Sequence, residues 1–205
     1  MLVVLGNHDY WKCNNKLSIK NGAEKCRALL LAKNILNVKI LDCDTHLDGD
    51  VLFVGCTLWT DMKNADALAM HDMRDLMKYD GQIAFESGNG TYTKFSSYNW
   101  ISTHYKHRDY LKIIIEQNRD KRIVVITHHS PLIDDELARN FDVSNAYYMT
   151  DLTELIMENP HVKLWVYGHI HKPTDIIKGQ TRFLNNAVGY KKDKSEVKHE
   201  VIRIT

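Results

Sequence analysis

Three short apolar runs constrain this chain most. Leu2-Val3-Val4-Leu5 leads into Gly6-Asn7-His8-Asp9, Ile123-Val124-Val125-Ile126 into Thr127-His128-His129, and Leu164-Trp165-Val166-Tyr167 into Gly168-His169-Ile170-His171. Runs of this length, rich in β-branched residues and broken by polar clusters, read as buried parallel strands. Open α/β sheets bind their ligands at the carboxyl ends of such strands. Imidazole nitrogens and an amide oxygen brought to that edge are the donor set of a transition-metal site, since neutral imidazole is the commonest metal ligand.

The rest of the sequence organises around these strands. A helix is expected from Ala23 to Asn34, and a hairpin pairing Val38–Leu41 with Val51–Leu58 across Asp48-Gly49. Asp42-Cys43-Asp44-Thr45-His46 and Asp48-Gly49-Asp50 read as turn residues on a solvated loop. From about residue 60 to 100 the sequence becomes polar and glycine- and methionine-bearing, the texture of a cap-like insertion over a substrate cleft. A stronger helix is expected from Ser102 to Asn118, another capped by Thr150 and ending before Pro160, then a hairpin of Thr174–Ile177 with Thr181–Leu184 and a closing strand from Val197 to Ile204. His104 and His107, at i and i+3, read as a solvated helix face. His71-Asp72 and the lysines from Lys191 to Lys194 read as surface, and Trp100, Tyr147 and Tyr148 as core or lid.

Composition excludes more than it assigns. The 205 residues carry 27 Lys plus Arg against 26 Asp plus Glu, so bulk charge implies no nucleic-acid partner. No apolar run reaches membrane-span length, and no secretory leader is recognisable. The expected setting is cytoplasmic, with the four cysteines reduced and packed as small hydrophobes.

The motifs G-N-H-D, T-H-H-S-P and G-H-I-H, in that order at strand ends, resemble the calcineurin-like metallophosphoesterase family over residues 2–190. Leu58-Trp59-Thr60-Asp61 and Asn185-Asn186-Ala187 add to the likeness. The resemblance implies an α/β fold of the metallophosphoesterase type: a four-layer sandwich of two mixed sheets flanked by helices, here as a single domain over residues 1–205. It also implies hydrolysis of a phosphomonoester or phosphodiester through a metal-activated hydroxide, with two divalent ions (manganese, iron or zinc) as cofactors. By motif match Asn7, His128 and His169 are ligands of one metal and His171 of the other. His8 is the proton donor or positive charge at the leaving oxygen, and Asp9 orients its ring and raises its pKa. Gly168 is expected to let the chain turn tightly just after the strand, so that His169 and His171 can address different metals, and His129 and Ser130 to support the ligand beside them.

Family members also carry Asp-x-His and Gly-Asp-x-x-Asp motifs ahead of G-N-H-D, and only five residues precede Gly6 here. The expectation is therefore a chain lacking the first βαβα portion of the fold, with impaired activity as it stands. Either Met1 is an internal methionine or the end of an incomplete reading frame, or the gene is split or decayed and the chain is a remnant or a subunit completed by an N-terminal fragment. The first is favoured because each downstream motif is undamaged. The other class of reading is a non-catalytic or partner-completed binding module on the same fold.

Overall fold

The computed structural model describes residues 1–10, 18–62, 83–86, 91–134, 145–189 and 201–204. His71-Asp72, Cys13, Lys191–Lys194 and most of the 60–100 insertion lie outside these residues. Ten strands are described. The sheet that carries the site has six: β3 (Asp44–Asp48), β4 (Val51–Cys56), β7 (Arg122–Thr127), β8 (Val162–Tyr167), β9 (Thr174–Lys178) and β10 (Thr181–Asn185). Their order is β3-β4-β7-β8-β10-β9. The four inner strands β4, β7, β8 and β10 pair in parallel, while β3 and β9 close the edges antiparallel. Parallel inner strands put four carboxyl ends on one rim, and that rim collects the polar motifs.

Strand β1 (Leu2–Val4) pairs in parallel with β2 (Lys39–Leu41), joined by α1 (Gly22–Ala32). This pair packs directly on β4: a methyl group added at Gly55 would lie 2.9 Å from Leu41 Cβ and 2.9 Å from Val4 Cγ1. Val38–Leu41 is thus not the hairpin arm that the sequence suggests. The arm is β3, whose Asp44, His46 and Asp48 made it look like a solvated turn. An edge strand faces a neighbour on one side only, so it tolerates that polarity. The turn itself is where expected, with Gly49 at φ +60°. In the insertion, β5 (Ala84–Glu86) and β6 (Tyr92–Lys94) form a small antiparallel hairpin.

Helix α2 (Ser97–Gln117) begins five residues before the expected start. Ser96 Oγ accepts from the Asn99 amide at 3.3 Å, and Asn99 Oδ1 accepts from the Ser96 amide at 3.0 Å. This reciprocal cap is worth about 0.5–2 kcal/mol, and an Asn in place of the usual Glu or Gln hides it in the sequence. Short helices α3 (Asn145–Tyr148) and α4 (Thr153–Met157) follow. The N-cap of α4 is Leu152, not Thr150, and just ahead of it Asp151 Oδ1 accepts from the Thr153 amide at 2.9 Å. The β9–β10 hairpin is as expected, with Gly179 at φ +61°. Residues 201–204 form no strand, and the Arg122 guanidinium donates to the Ile204 carbonyl.

Side chains alternate about the large sheet. Leu52, Val54 and Cys56 of β4, Ile123 and Val125 of β7, Trp165 and Phe183 pack with Leu111 and Ile115 of α2 in one core. Leu5, Tyr10, Ile40, Trp59, Phe95, Trp100 and Tyr147 form the second, under the rim of strand ends. Trp100 and Tyr147 are therefore core, while Tyr148 is half-buried. Cys26, Cys43 and Cys56 are free thiols. Among the described residues no helix is long and apolar enough to cross a membrane.

Candidate metal centre at the strand ends

Asn7, His128 and His169 converge where β1, β7 and β8 end. The chain leaves β1 through a 3-10 turn, Asn7–Tyr10, with the Asp9 amide donating to the Gly6 carbonyl at 3.1 Å and the Gly6 amide to Asp9 Oδ2 at 2.8 Å. Buried Asn7 then places Oδ1 at 2.9 Å from His128 Nε2, which lies 3.0 Å from His169 Nδ1. The ring of His128 fits only because residue 6 has no side chain: a Cβ there would sit 2.6 Å from His128 Cε1.

His169 lies at φ +60°, and the Ile170 amide donates to the Gly168 carbonyl at 2.6 Å, so the ring hangs on a tight three-residue turn. The expectation for Gly168 is corrected here. The left-handed residue is His169 itself, at a cost of about 1–3 kcal/mol. A Cβ at Gly168 would meet only ordinary contacts, the nearest at 3.8 Å. The two motif loops are joined directly, the Gly168 amide donating to the His128 carbonyl at 3.0 Å.

Burial holds the ring nitrogens unprotonated. His128 is pulled down to about 4, first by burial and then by the charges of His8 and His171. His169 and His129 are held well below their ordinary value for the same first reason. Neutral rings keep lone pairs free for a cation. Two donor separations near 3 Å are those of adjacent ligands on an ion bonded at roughly 2.0–2.1 Å. A proton on His128 Nε2 is shared between two acceptors, whereas a cation in that place takes a lone pair from all three. The donor set therefore fits a divalent transition metal better than a proton.

His8 and His171 are exposed at the same rim. Asp9 raises the pKa of His8 as expected, but burial outweighs it and His171 adds to the lowering, so the net shift is downward. Tyr148 and Tyr147 stand over His169, with ring centroids 5.1 and 5.8 Å away.

Beneath the cluster, Thr57 ties the elements together. Its carbonyl accepts from the His128 amide at 3.3 Å, the His129 amide at 3.1 Å and His129 Nδ1 at 3.2 Å, while its hydroxyl donates to the Leu5 carbonyl at 2.7 Å. Ser130 Oγ donates to the Leu132 carbonyl at 2.8 Å, closing the loop that follows. Directly after Thr57 the chain passes through two left-handed residues, Leu58 at φ 72° and Trp59 at φ 48°. Two buried histidines of α2 hold this turn with opposite tautomers. His107 Nδ1 accepts from the Leu58 amide at 3.1 Å, and His104 Nδ1 donates to the Leu58 and Trp59 carbonyls at 3.1 and 3.4 Å. The expectation of a solvated face for His104 and His107 is thus wrong, because the strained turn needs one donor and one acceptor inside the core. Asp42, Cys43 and His107 also present ligand atoms within 4.8 Å of one another. Since His107 Nδ1 is an acceptor, its proton lies on Nε2, which removes the lone pair a metal there would need.

The fold is of the metallophosphoesterase type: inner strands β7 and β8 deliver imidazoles, and β1, paired with β2 in a separate sheet, delivers the Asn7 amide to the same place. The sequence model of the calcineurin-like phosphoesterase family matches residues 1–173, and the chain belongs to that family. An uncharacterized protein, L509, of Acanthamoeba polyphaga mimivirus is 23% identical over 201 residues, covering 94% of this chain and 69% of that protein. The crystal structure of the phosphopantetheinyl hydrolase from Mycobacterium tuberculosis superposes with a TM-score of 0.62 at 16% identity, over 94% of this chain and 70% of the other. That likeness is one of fold.

Proposed function

We propose that this chain hydrolyses a phosphomonoester or phosphodiester with a divalent metal held by Asn7 Oδ1, His128 Nε2 and His169 Nδ1, and with His171 as a ligand of a second ion. The reading rests on one observation above the others: three donors at 2.9 and 3.0 Å spacing, built from motifs 121 and 41 residues apart. When bound, the metal supplies an acidified water and neutralises the phosphate's charge.

The chain's own residues do the rest. Asn7 contributes a neutral oxygen, so the site keeps net positive charge for an anionic ester. His128 and His169 are pre-formed as neutral donors, and Thr57 together with the Leu58–Trp59 turn fixes the loop that bears His128. His8, exposed next to Asn7, gives a hydrogen bond or proton to the departing oxygen, and the carboxylate of Asp9 favours its protonated form. Positioning and charge account for most of the rate in phosphoryl transfer, so little covalent chemistry is asked of the protein.

Turnover of p-nitrophenyl phosphate and bis(p-nitrophenyl) phosphate with added Mn2+ tests this. His8→Ala should lower kcat on the order of 100-fold with metal content retained, and His128→Ala should lose both. Undiminished turnover in His8→Ala removes His8 from the mechanism. A wild-type chain that binds metal and cleaves neither ester removes the enzyme reading and leaves the binding module.

A further inference from the structure

We propose that Asn185 positions the histidine loop, and through it the ring nitrogens of His169 and His171; the consequence for metal binding rests on the site proposed above. Strands β8 and β9 lie on either side of β10, so the connection through residues 168–173 must cross the carboxyl end of β10. Asn185 is the last residue of β10, in register with Tyr167 of β8 and Thr174 of β9, the two residues from which that connection leaves and to which it returns. It is buried beneath the crossing.

Its side chain is fully used there. Nδ2 donates to the Ile170 carbonyl at 2.6 Å and to the Lys172 carbonyl at 3.1 Å, the two carbonyls that bracket His171. Oδ1 accepts from the Ala187 amide at 2.9 Å, anchoring the clamp to its own strand end. A primary amide offers two donors and a carbonyl acceptor, which is the set this place requires. Aspartate has the same shape but only acceptors, and it would face two carbonyls. The loop needs such a grip, because left-handed His169 persists only where its surroundings hold it. Asn185 touches no reacting atom and lies beyond residue 173, where the family match ends; the Asn185-Asn186-Ala187 stretch adds to the likeness without giving Asn185 a role.

The test uses the full chain with Co2+ as the probe and two substitutions, Asn185→Asp and Asn185→Ser, the second guarding against a misfolded first. Amide hydrogen exchange over residues 168–172 in chelator should be at least about 10-fold faster in a folded variant, since a lost clamp frees the local opening. Co2+ affinity should fall roughly 10- to 100-fold, the usual cost of removing a residue that orients a ligand, and the visible absorption of bound Co2+ should change. A residue that merely braced the sheet would shift the thermal midpoint and leave the Co2+ spectrum and the 168–172 exchange as in the wild type; that result overturns the proposal. If the wild type takes up no Co2+, the metal site itself fails, and the exchange of 168–172 alone decides the clamp: faster in the variants supports it, unchanged refutes it.

Discussion

Acid should loosen this protein through His107, and by an amount that can be worked out. His107 is buried and held down to about 3, chiefly by burial, from an ordinary value of 6.5. Its folded pKa is depressed, so the unfolded chain takes up a proton below about 6.5 that the folded chain refuses until about 3. The stability it contributes is therefore complete above pH 6.5 and is lost progressively as pH falls. One such proton amounts to about 2 kcal/mol between pH 6.5 and 5. His128, His129, His169 and His104 are shifted the same way, so the wild type's loss is steeper than one histidine gives. His107→Leu isolates the share of His107. At pH 7.5 it leaves the Leu58 amide without its acceptor in the core, a cost of about 1–3 kcal/mol. It also removes one titrating group, so its deficit against the wild type should shrink by about 2 kcal/mol by pH 5. Urea unfolding in chelator, followed by tryptophan fluorescence at both pH values, measures this. A deficit that stays constant with pH would refute the buried, neutral His107 and the clamp on the Leu58–Trp59 turn.

Gly6→Ala should push the His128 ring off Asn7 and His169, because the added methyl would lie 2.6 Å from Cε1; calorimetry should show Zn2+ affinity reduced by roughly 10-fold or more, and unchanged affinity would show that the ring can move at no cost. Thr57→Val keeps the shape but deprives the buried Leu5 carbonyl of its donor; it should cost about 1–3 kcal/mol in urea unfolding, with Thr57→Ser close to the wild type.

Much of the site is legible in the sequence because its residues directly follow the strands that place them. Asn7, His128 and His169 need no more than the apolar runs at residues 2–5, 123–126 and 164–167 to be brought to one rim. What is hidden depends on contacts between distant segments. His104 and His107 look like polar helix positions, and only a left-handed turn at Leu58 and Trp59, some 45 to 49 residues earlier, gives their ring nitrogens partners. Gly6 reads as part of a motif, although its closest constraint is the ring of His128, and Asn185 acts on a loop carried by a different pair of strands. The β3 hairpin was obscured for another reason. Alternating Asp, Thr and His imitate a turn, and only pairing with β4 distinguishes an edge strand from a loop.

Metal uptake by the chelator-stripped chain tests the central claim most directly. Zn2+ titrated into the wild type, His128→Ala and Cys43→Ala should bind tightly to the first and third and lose its tight site in the second. Undiminished uptake by His128→Ala, or loss in Cys43→Ala instead, would contradict the assignment of Asn7, His128 and His169 as the metal centre.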